Sequence, residues 1–101
     1  MKICKVVGHV WATKKDPSLE GVKLMIVKPW GGSCGDDEAF VAGDLVGAGI
    51  GEKILVITGS SARNAFGNKA CSIDSAIVGI IDAMEMEDVA VILMTEKLVK
   101  L

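Results

Sequence analysis

Hydrophobic and polar residues alternate along the first part of the chain, from Ile3 to Thr13. A period of two is typical of a β-strand, because successive side chains point to opposite faces. Glycine inside such a strand indicates a bend or bulge, so a distortion is predicted at Gly8. One predicted face is small and apolar and carries Cys4, Val6, Gly8, Val10 and Ala12. The opposite face is mixed in polarity and carries Ile3, Lys5, Val7, His9, Trp11 and Thr13.

Further apolar runs along the chain predict more strands, at 23–28, 53–58, 77–84 and 89–94, with a short one at 40–42. Segments rich in Gly, Pro and charged residues separate them and predict loops at 14–21, 29–38 and 44–52. Ser60 or Ser61 is the predicted N-cap of one or two helical turns that reach Phe66. Asp74 is expected to cap another short turn. Residues 96–101 fit either a strand or a short helical tail.

Many short strands with little helix predict an all-β (mainly β) fold, either a small closed barrel or a sandwich, with one or two short helical turns. A doubly wound α/β fold needs long helices between its strands, and no segment supplies them. The length of 101 residues suits one domain, with residues 82–101 as a C-terminal strand or tail.

Composition makes this chain unusually apolar for its size. Half of the residues are hydrophobic and the mean hydropathy is +0.46. A domain of this length buries only a little over 60 % of its unfolded surface, so apolar side chains are left over and are expected to meet partner subunits. An outward-facing Trp11 is a candidate for such a contact, because aromatic residues are enriched at interface centres.

Charge and cysteine content narrow the function classes. The net charge is -2 and aromatic residues make up 4 %, which disfavours nucleic-acid binding. No apolar run approaches the ~20 residues of a membrane span, and no leader pattern opens the sequence, so a cytoplasmic protein is expected. A zinc site built from Cys4, Cys34, Cys71 and His9 is disfavoured because the ligands lack paired spacing. Cys4 is more simply a small buried residue.

The glycine-rich run Gly47-Ala48-Gly49-Ile50-Gly51 resembles a phosphate-binding loop only superficially. Such a loop needs a helix directly after it, with backbone N–H groups aimed at the phosphate. Here Glu52 and a predicted strand follow instead. The glycines are better explained by positive φ angles and close backbone approach, within the chain or against a neighbouring subunit.

The run Gly59-Ser60-Ser61-Ala62-Arg63 resembles half of a nucleophile elbow, but its second glycine is missing and the single histidine, His9, lies in the first strand. A capped helical turn is the simpler interpretation. Arg63 is expected to pair with a carboxylate of its own or a neighbouring chain, with Asp44 and Glu52 as the candidates. The acidic run 36–38 is expected to be solvated and lacks the spacing of a calcium loop. One histidine and no paired acids also disfavour a small enzyme.

Four sequence blocks together resemble one family, the pentameric vertex proteins of bacterial microcompartment shells, of the EutN and CcmL type. The combination of a VGAGxGE block with a GSxAR block at this spacing carries most of the resemblance. It covers about residues 1–82, and its blocks are VGHVWATKK with Leu19, Gly21 and Lys23-Leu24; DLVGAGIGE at 44–52; the segment from Val56 through GSSAR at 59–63; and IDSAIVGIID at 73–82.

This resemblance implies a small OB-like closed β-barrel that assembles into a five-fold ring at the vertices of a shell built from hexameric tile proteins. It implies a structural role without catalysis or cofactors, and an axial pore. The residues expected at the subunit interface or near the axis are Trp11, Asp44, Gly47, Ala48, Gly49, Gly51, Glu52, Ser60, Ser61 and Arg63. The sequence does not count subunits, so a six-membered ring stays an alternative. The tail is expected to pair with its own barrel or a neighbour's. An OB-like module that binds single-stranded nucleic acid is the alternative function.

Overall fold

The computed structural model describes residues 1–13, 15–31, 38–67 and 72–85. Within these residues no helix is long and apolar enough to cross a bilayer. The predicted mainly β fold is confirmed. Five strands and one short α-helix follow one another as β1 (Lys2–Val10), β2 (Lys23–Pro29), β3 (Phe40–Asp44), β4 (Lys53–Thr58), α1 (Ser60–Ala65) and β5 (Ser75–Ile80), with a 3-10 turn at Pro17–Leu19 in a segment predicted as loop.

The strands close into a barrel in the order β1-β2-β3-β5-β4. All neighbours are antiparallel except β3 and β5, which pair in parallel through Gly43 with Ala76 and Asp44 with Ile77. Closure removes the free sheet edges that invite aggregation. The closed barrel confirms the fold class expected from the sequence.

Alternating side chains of the strands fill the barrel interior. In β1 the small residues Cys4 and Val6 point inward, and in β4 Ile54 and Val56 do the same. This agrees with the predicted small face of the first strand. The fully buried cluster comprises Cys4, Val6, Met25, Val27, Ala42, Ala48, Ile54, Val56 and Ile77. Ala48 comes from the loop after β3, so that loop contributes to the core.

The predicted distortion at Gly8 is confirmed as a register shift between β1 and β2 that lies between Val6 and Gly8. A Cβ atom at Gly8 would lie 3.2 Å from Cδ1 of Ile26, so the backbones approach closely here. The alternation predicted beyond this point is wrong: Val10 is half-buried, Ala12 is exposed, and β1 ends at Val10 and not at Thr13. A bulge changes which face later residues occupy.

Other element limits differ from the prediction for identifiable reasons. β3 extends to Asp44 because that residue still pairs with Lys23 of β2. β5 begins at Ser75 and ends at Ile80, not at Met84. Asp74 caps no turn; it directly precedes β5, and its carbonyl accepts a hydrogen bond from the Gly59 amide at 2.8 Å. The predictions for 89–94, 96–101 and the pairing of the tail lie outside the described residues, as does most of the 29–38 loop.

A candidate assembly surface

The Gly-rich loop 44–52 joins β3 to β4 and is organised by one buried carboxylate. The side chain of Asp44 is 1 % exposed. Its Oδ1 accepts the backbone N–H groups of Val46 and Gly47 at 3.0 and 3.1 Å, and its Oδ2 accepts that of Ala48 at 2.8 Å. Aspartate readily bonds the amides of the residues that follow it in a turn. One side chain therefore fixes the first half of the loop.

The second half of the Gly-rich loop is fixed by Glu52 and by β1. Glu52 Oε1 accepts the Gly49 amide at 2.6 Å. Gly51 donates to the carbonyl of Val6 at 2.8 Å, and the Val6 amide donates to the carbonyl of Glu52 at 3.0 Å. Gly47 and Gly51 adopt φ angles of 80° and 93°, which other residues reach only with strain. The predicted role of these glycines in positive-φ turns is confirmed.

Lys23 of β2 holds the Gly-rich loop from the outside. Its Nζ donates to the carbonyl of Ala48 at 2.9 Å and lies 3.8 Å from Oδ2 of Asp44. The sequence analysis did not assign Lys23 to the site. The available signal was its position in the first block of the family resemblance.

With its polar groups directed inward, the Gly-rich loop presents apolar side chains to the outside. Leu45, Val46 and Ile50 are 42 %, 40 % and 67 % exposed. These three residues were not among the predicted site residues. An ordered loop that exposes branched aliphatic side chains has the character of a protein contact surface.

Trp11 lies beyond the end of β1 and is 82 % exposed. Its ring stacks on that of His9, with centroids 4.0 Å apart and an angle of 18° between the planes. Both line a cleft of about 270 Å³ with apolar walls and two lysines, formed by His9, Val10, Trp11, Ala12, Lys15, Gly21, Val22, Lys23 and Leu24. The outward direction predicted for Trp11 is therefore confirmed, and Lys23 places the cleft next to the Gly-rich loop.

Helix α1 carries the remaining predicted site residues at the other end of β4. Ser60 and Ser61 are exposed, and Arg63 is half-buried. The predicted serine N-cap is wrong: the cap is Gly59, with φ 69° and no side-chain cap hydrogen bond. A glycine in this conformation turns the chain directly from β4 into the helix, which leaves both serines inside it. The predicted end near Phe66 is confirmed, since Phe66 is the C-cap.

The structure brings Asp44, Gly47, Ala48, Gly49, Gly51 and Glu52 together in one loop, with Trp11 in the adjacent cleft, and separates Ser60, Ser61 and Arg63 from them. The ion pair of Arg63 with Asp44 or Glu52 does not form within the chain. Among the described residues the one ion pair is that of Lys23 with Asp44. Asp44 is instead committed to its own loop.

Cys4 is buried, as predicted, and burial raises the pKa of its thiol above the ordinary value of 9.0, with a smaller lowering by the charge of Lys2. A buried neutral thiol of this kind is a poor metal ligand and a poor nucleophile. In the described residues no three His, Cys, Asp or Glu side chains cluster as a metal site. Cys34 and Cys71 lie outside the described residues.

Comparison with known proteins assigns the chain to a family. The family model described as "Ethanolamine utilisation protein EutN/carboxysome" matches residues 1–82. The chain belongs to the EutN/CcmL family. Among curated members, the carboxysome shell vertex protein CcmL of Nostoc sp. is 42 % identical over 90 residues, covering 87 % of this chain and 89 % of that protein. The microcompartment shell vertex protein PduN of Salmonella typhimurium is 42 % identical over 92 residues, covering 83 % and 98 %.

Solved structures of the EutN/CcmL family share the fold. The pentameric microcompartment shell protein GrpN from Rhodospirillum rubrum matches with a TM-score of 0.70 and 39 % identity, covering 86 % of this chain and all of that chain. A structure titled ethanolamine utilization protein EutN matches with a TM-score of 0.74 and 32 % identity, covering 85 % and 91 %. The resemblance inferred from the four sequence blocks is thereby confirmed.

Proposed function

We propose that this chain is a structural shell protein that assembles into a pentamer and closes the vertices of a bacterial microcompartment shell. The observation that carries the proposal is the match to GrpN, titled a pentameric shell protein, over the whole of that chain. The protein acts in the cytoplasm as part of the shell, where its neighbours are the hexameric tile proteins that form the facets.

The distribution of apolar side chains supports assembly. The barrel is closed and its interior is filled, yet several large hydrophobic side chains of the described residues remain exposed: Met1, Ile3, Val7, Trp11, Val41, Leu45, Val46 and Ile50. A cyclic ring uses a heterologous interface, in which one patch of each subunit meets a different patch of the next. These side chains come from β1 and the residues beside it, from β3 and from the Gly-rich loop, so different parts of the barrel offer apolar surface, which suits that geometry.

A structural role without catalysis is part of the same proposal. The relatives named above are described by their place in a shell, and the residues of the candidate surface stabilise backbone geometry. Asp44, Glu52 and Lys23 bind the chain's own amides and carbonyl groups. These hydrogen bonds hold the backbone of the Gly-rich loop in one conformation and so determine the shape of the surface.

Native mass spectrometry of the purified chain tests the proposal. Five chains of 10.6 kDa give about 53 kDa, and six would give about 64 kDa. We expect the five-chain species to dominate at micromolar concentration. A monomer at all concentrations would contradict the proposal, and the six-chain species would correct the ring size.

Co-expression with a hexameric tile protein tests the shell role separately. We expect polyhedral particles that close only when this chain is present, and open tubes or sheets of tiles without it. The alternative function, binding of single-stranded nucleic acid, has no support among the relatives named above. A fluorescent oligonucleotide whose anisotropy rises with this chain at low salt would favour that alternative.

A further inference from the structure

Arg63 is the one arginine of the sequence, and within the part of the chain that the structure describes its side chain has no counter-charge. It lies in the last turn of α1 and is half-buried. Among the described residues its guanidinium makes neither an ion pair nor a hydrogen bond. A half-buried guanidinium has lost part of its hydration and gains most from a planar carboxylate that it can bind through two N–H groups.

Two carboxylates of the Gly-rich loop are candidates, and the structure distinguishes them. Asp44 is 1 % exposed, both of its oxygens accept backbone amides, and Lys23 lies beside it. It offers no open oxygen to another molecule. Glu52 is half-buried, and only its Oε1 accepts a hydrogen bond, from Gly49. Its Oε2 accepts none from the described residues, so Glu52 has capacity for an external donor.

Arg63 cannot reach Glu52 of the same chain. The two residues flank opposite ends of β4, whose six residues span about 20 Å at 3.3 Å per residue. That distance is far longer than an arginine side chain. Each barrel therefore carries an unpaired cation at one end of β4 and a carboxylate with an open oxygen at the other.

We propose that Arg63 of one chain binds Glu52 of the neighbouring copy in the ring, a proposal that rests on the proposed assembly function. A heterologous interface brings two different patches together, and this pair joins the α1 end of one barrel to the Gly-rich loop of the next. Leu45, Val46 and Ile50 are exposed in the same loop as Glu52, and their burial against the neighbouring copy would exclude water and strengthen the charge-assisted hydrogen bonds. Because Arg63 and Glu52 are complementary in charge, the partner that this surface binds is a second copy of the chain.

Asp74 is the competing carboxylate. It is exposed and lies close to the start of α1, because its carbonyl accepts the Gly59 amide. It makes no ion pair with Arg63 of its own chain. Asp74 is fully hydrated and gains little from a counter-charge at the surface. The half-buried Glu52, with its open Oε2, gains more.

A double-mutant cycle on ring dissociation tests the pair. The variants are Arg63→Gln, Glu52→Gln and the double variant; Glu52→Gln keeps an Oε1 acceptor for the Gly49 amide. Native mass spectrometry over a dilution series gives the dissociation constant of each ring. We expect each single variant to raise it about tenfold or more and the double variant to be no weaker than the weaker single one. Asp74→Asn is the matched control, with an unchanged ring and effects that add to those of Arg63→Gln.

Zero-length crosslinking identifies the partner carboxylate without altering it. In the Arg63→Lys variant, a carbodiimide should join residue 63 to residue 52 of a different chain, detected by peptide mapping of the crosslinked dimer band. Additive effects in the cycle, or a crosslink to Asp74 in place of Glu52, would overturn the pairing while an intact wild-type pentamer leaves the assembly function standing. A wild-type chain that forms no ring removes both.

Discussion

The Gly-rich loop 44–52 and helix α1 lie at the two ends of β4 and are stabilised in different ways. In the loop, the carboxylates of Asp44 and Glu52 accept four backbone amides in total. The helix has no side-chain cap and depends on packing: Ala62 is fully buried, and Phe66 lies against Gly43 of β3. The loop is therefore fixed by polar groups and the helix by apolar ones.

This difference decides what each region shows to a partner. The loop uses both oxygens of Asp44 and Oε1 of Glu52 internally. It leaves Leu45, Val46 and Ile50 exposed and Oε2 of Glu52 without a donor among the described residues. The helix buries its apolar groups, and Arg63 has no counter-charge among the described residues. Each region therefore has groups that remain without a partner in the described part of one chain: apolar side chains and a carboxylate oxygen in the loop, and a cation in the helix. In the proposed ring, the cation of one copy meets the loop of the next copy, which is out of its reach within one chain.

Replacing Asp44 by Ala is expected to have the largest effect on the loop. Three backbone amides would lose their acceptor, and Lys23 would lose the carboxylate with which it forms an ion pair. Hydrogen bonds to a charged group contribute about 1.5–3 kcal/mol each, but amides at the exposed loop would regain water. We expect a loss of about 2–4 kcal/mol in the free energy of unfolding, measured by urea denaturation at neutral pH.

Asp16→Ala serves as the control for this change. Asp16 also accepts a backbone amide, that of Ser18 at 2.9 Å, but at an exposed turn. Its removal should lower the urea midpoint far less than the removal of Asp44. If the two variants lose equal stability, the loop is not organised by its buried carboxylate, and the comparison between loop and helix fails at its first step.

Gly43→Ala tests the packing that holds the helix. A Cβ at this position would lie 2.6 Å from Cζ of Phe66 and 3.1 Å from Cδ1 of Ile73. The ring must move, and overpacking of this kind costs about 1–3 kcal/mol. We expect that loss in urea denaturation, together with changed amide signals in residues 60–67 and much smaller changes in residues 46–52.

Gly79→Ala is the matched change in β5. The nearest atom to its added Cβ would be Cδ1 of Leu55 at 3.4 Å, which is ordinary contact. This variant should lie close to the wild type in stability. Equal losses for both glycines would show that strand conformation, and not the contact with Phe66, sets the cost.

The loop shows how far sequence reasoning reached. Its limits and its glycines with positive φ followed from the sequence. The family resemblance placed Asp44 and Glu52 among the expected interface residues, which stays a prediction. The hydrogen bonds of Asp44 did not, because Asp44 was considered as an ion-pair partner for Arg63, and the tertiary position of Lys23 was needed to see it as a loop organiser. The closure through a parallel β3–β5 pair was equally hidden, since it joins segments that lie about thirty residues apart.

The helix shows where local propensity misleads. Serine is favoured as an N-cap, which predicted Ser60 or Ser61, yet the chain turns at Gly59. Asp74 was assigned a cap on the same grounds, but its backbone holds Gly59 in place before β5 begins. In both cases the packing of β4, α1 and β5 against one another determines the backbone. Tertiary contacts of this kind override a cap worth about 1 kcal/mol.

The smallest expected effect concerns Cys4, in the barrel wall at the loop end of β4, where it pairs with Ile54. Burial raises the pKa of its thiol above the ordinary value of 9.0 in the folded state. The folded chain therefore keeps this proton at a pH where the unfolded chain releases it. The stabilisation is complete below the unfolded pKa and is lost as pH rises through the folded pKa, with a slope of at most about 1.4 kcal/mol per pH unit.

Comparison with Cys4→Ala isolates this effect, because every other ionisable group is present in both proteins and cancels in the difference. The stability advantage of the wild type over Cys4→Ala should fall as the pH rises above 9.0, as followed by urea midpoints at a series of pH values. A difference that stays constant over this range would mean that the thiol ionises equally in the folded and unfolded chains. That result would mean that water reaches Cys4 in the folded chain. It would contradict the conclusion that the barrel is closed to water at the end where the Gly-rich loop packs.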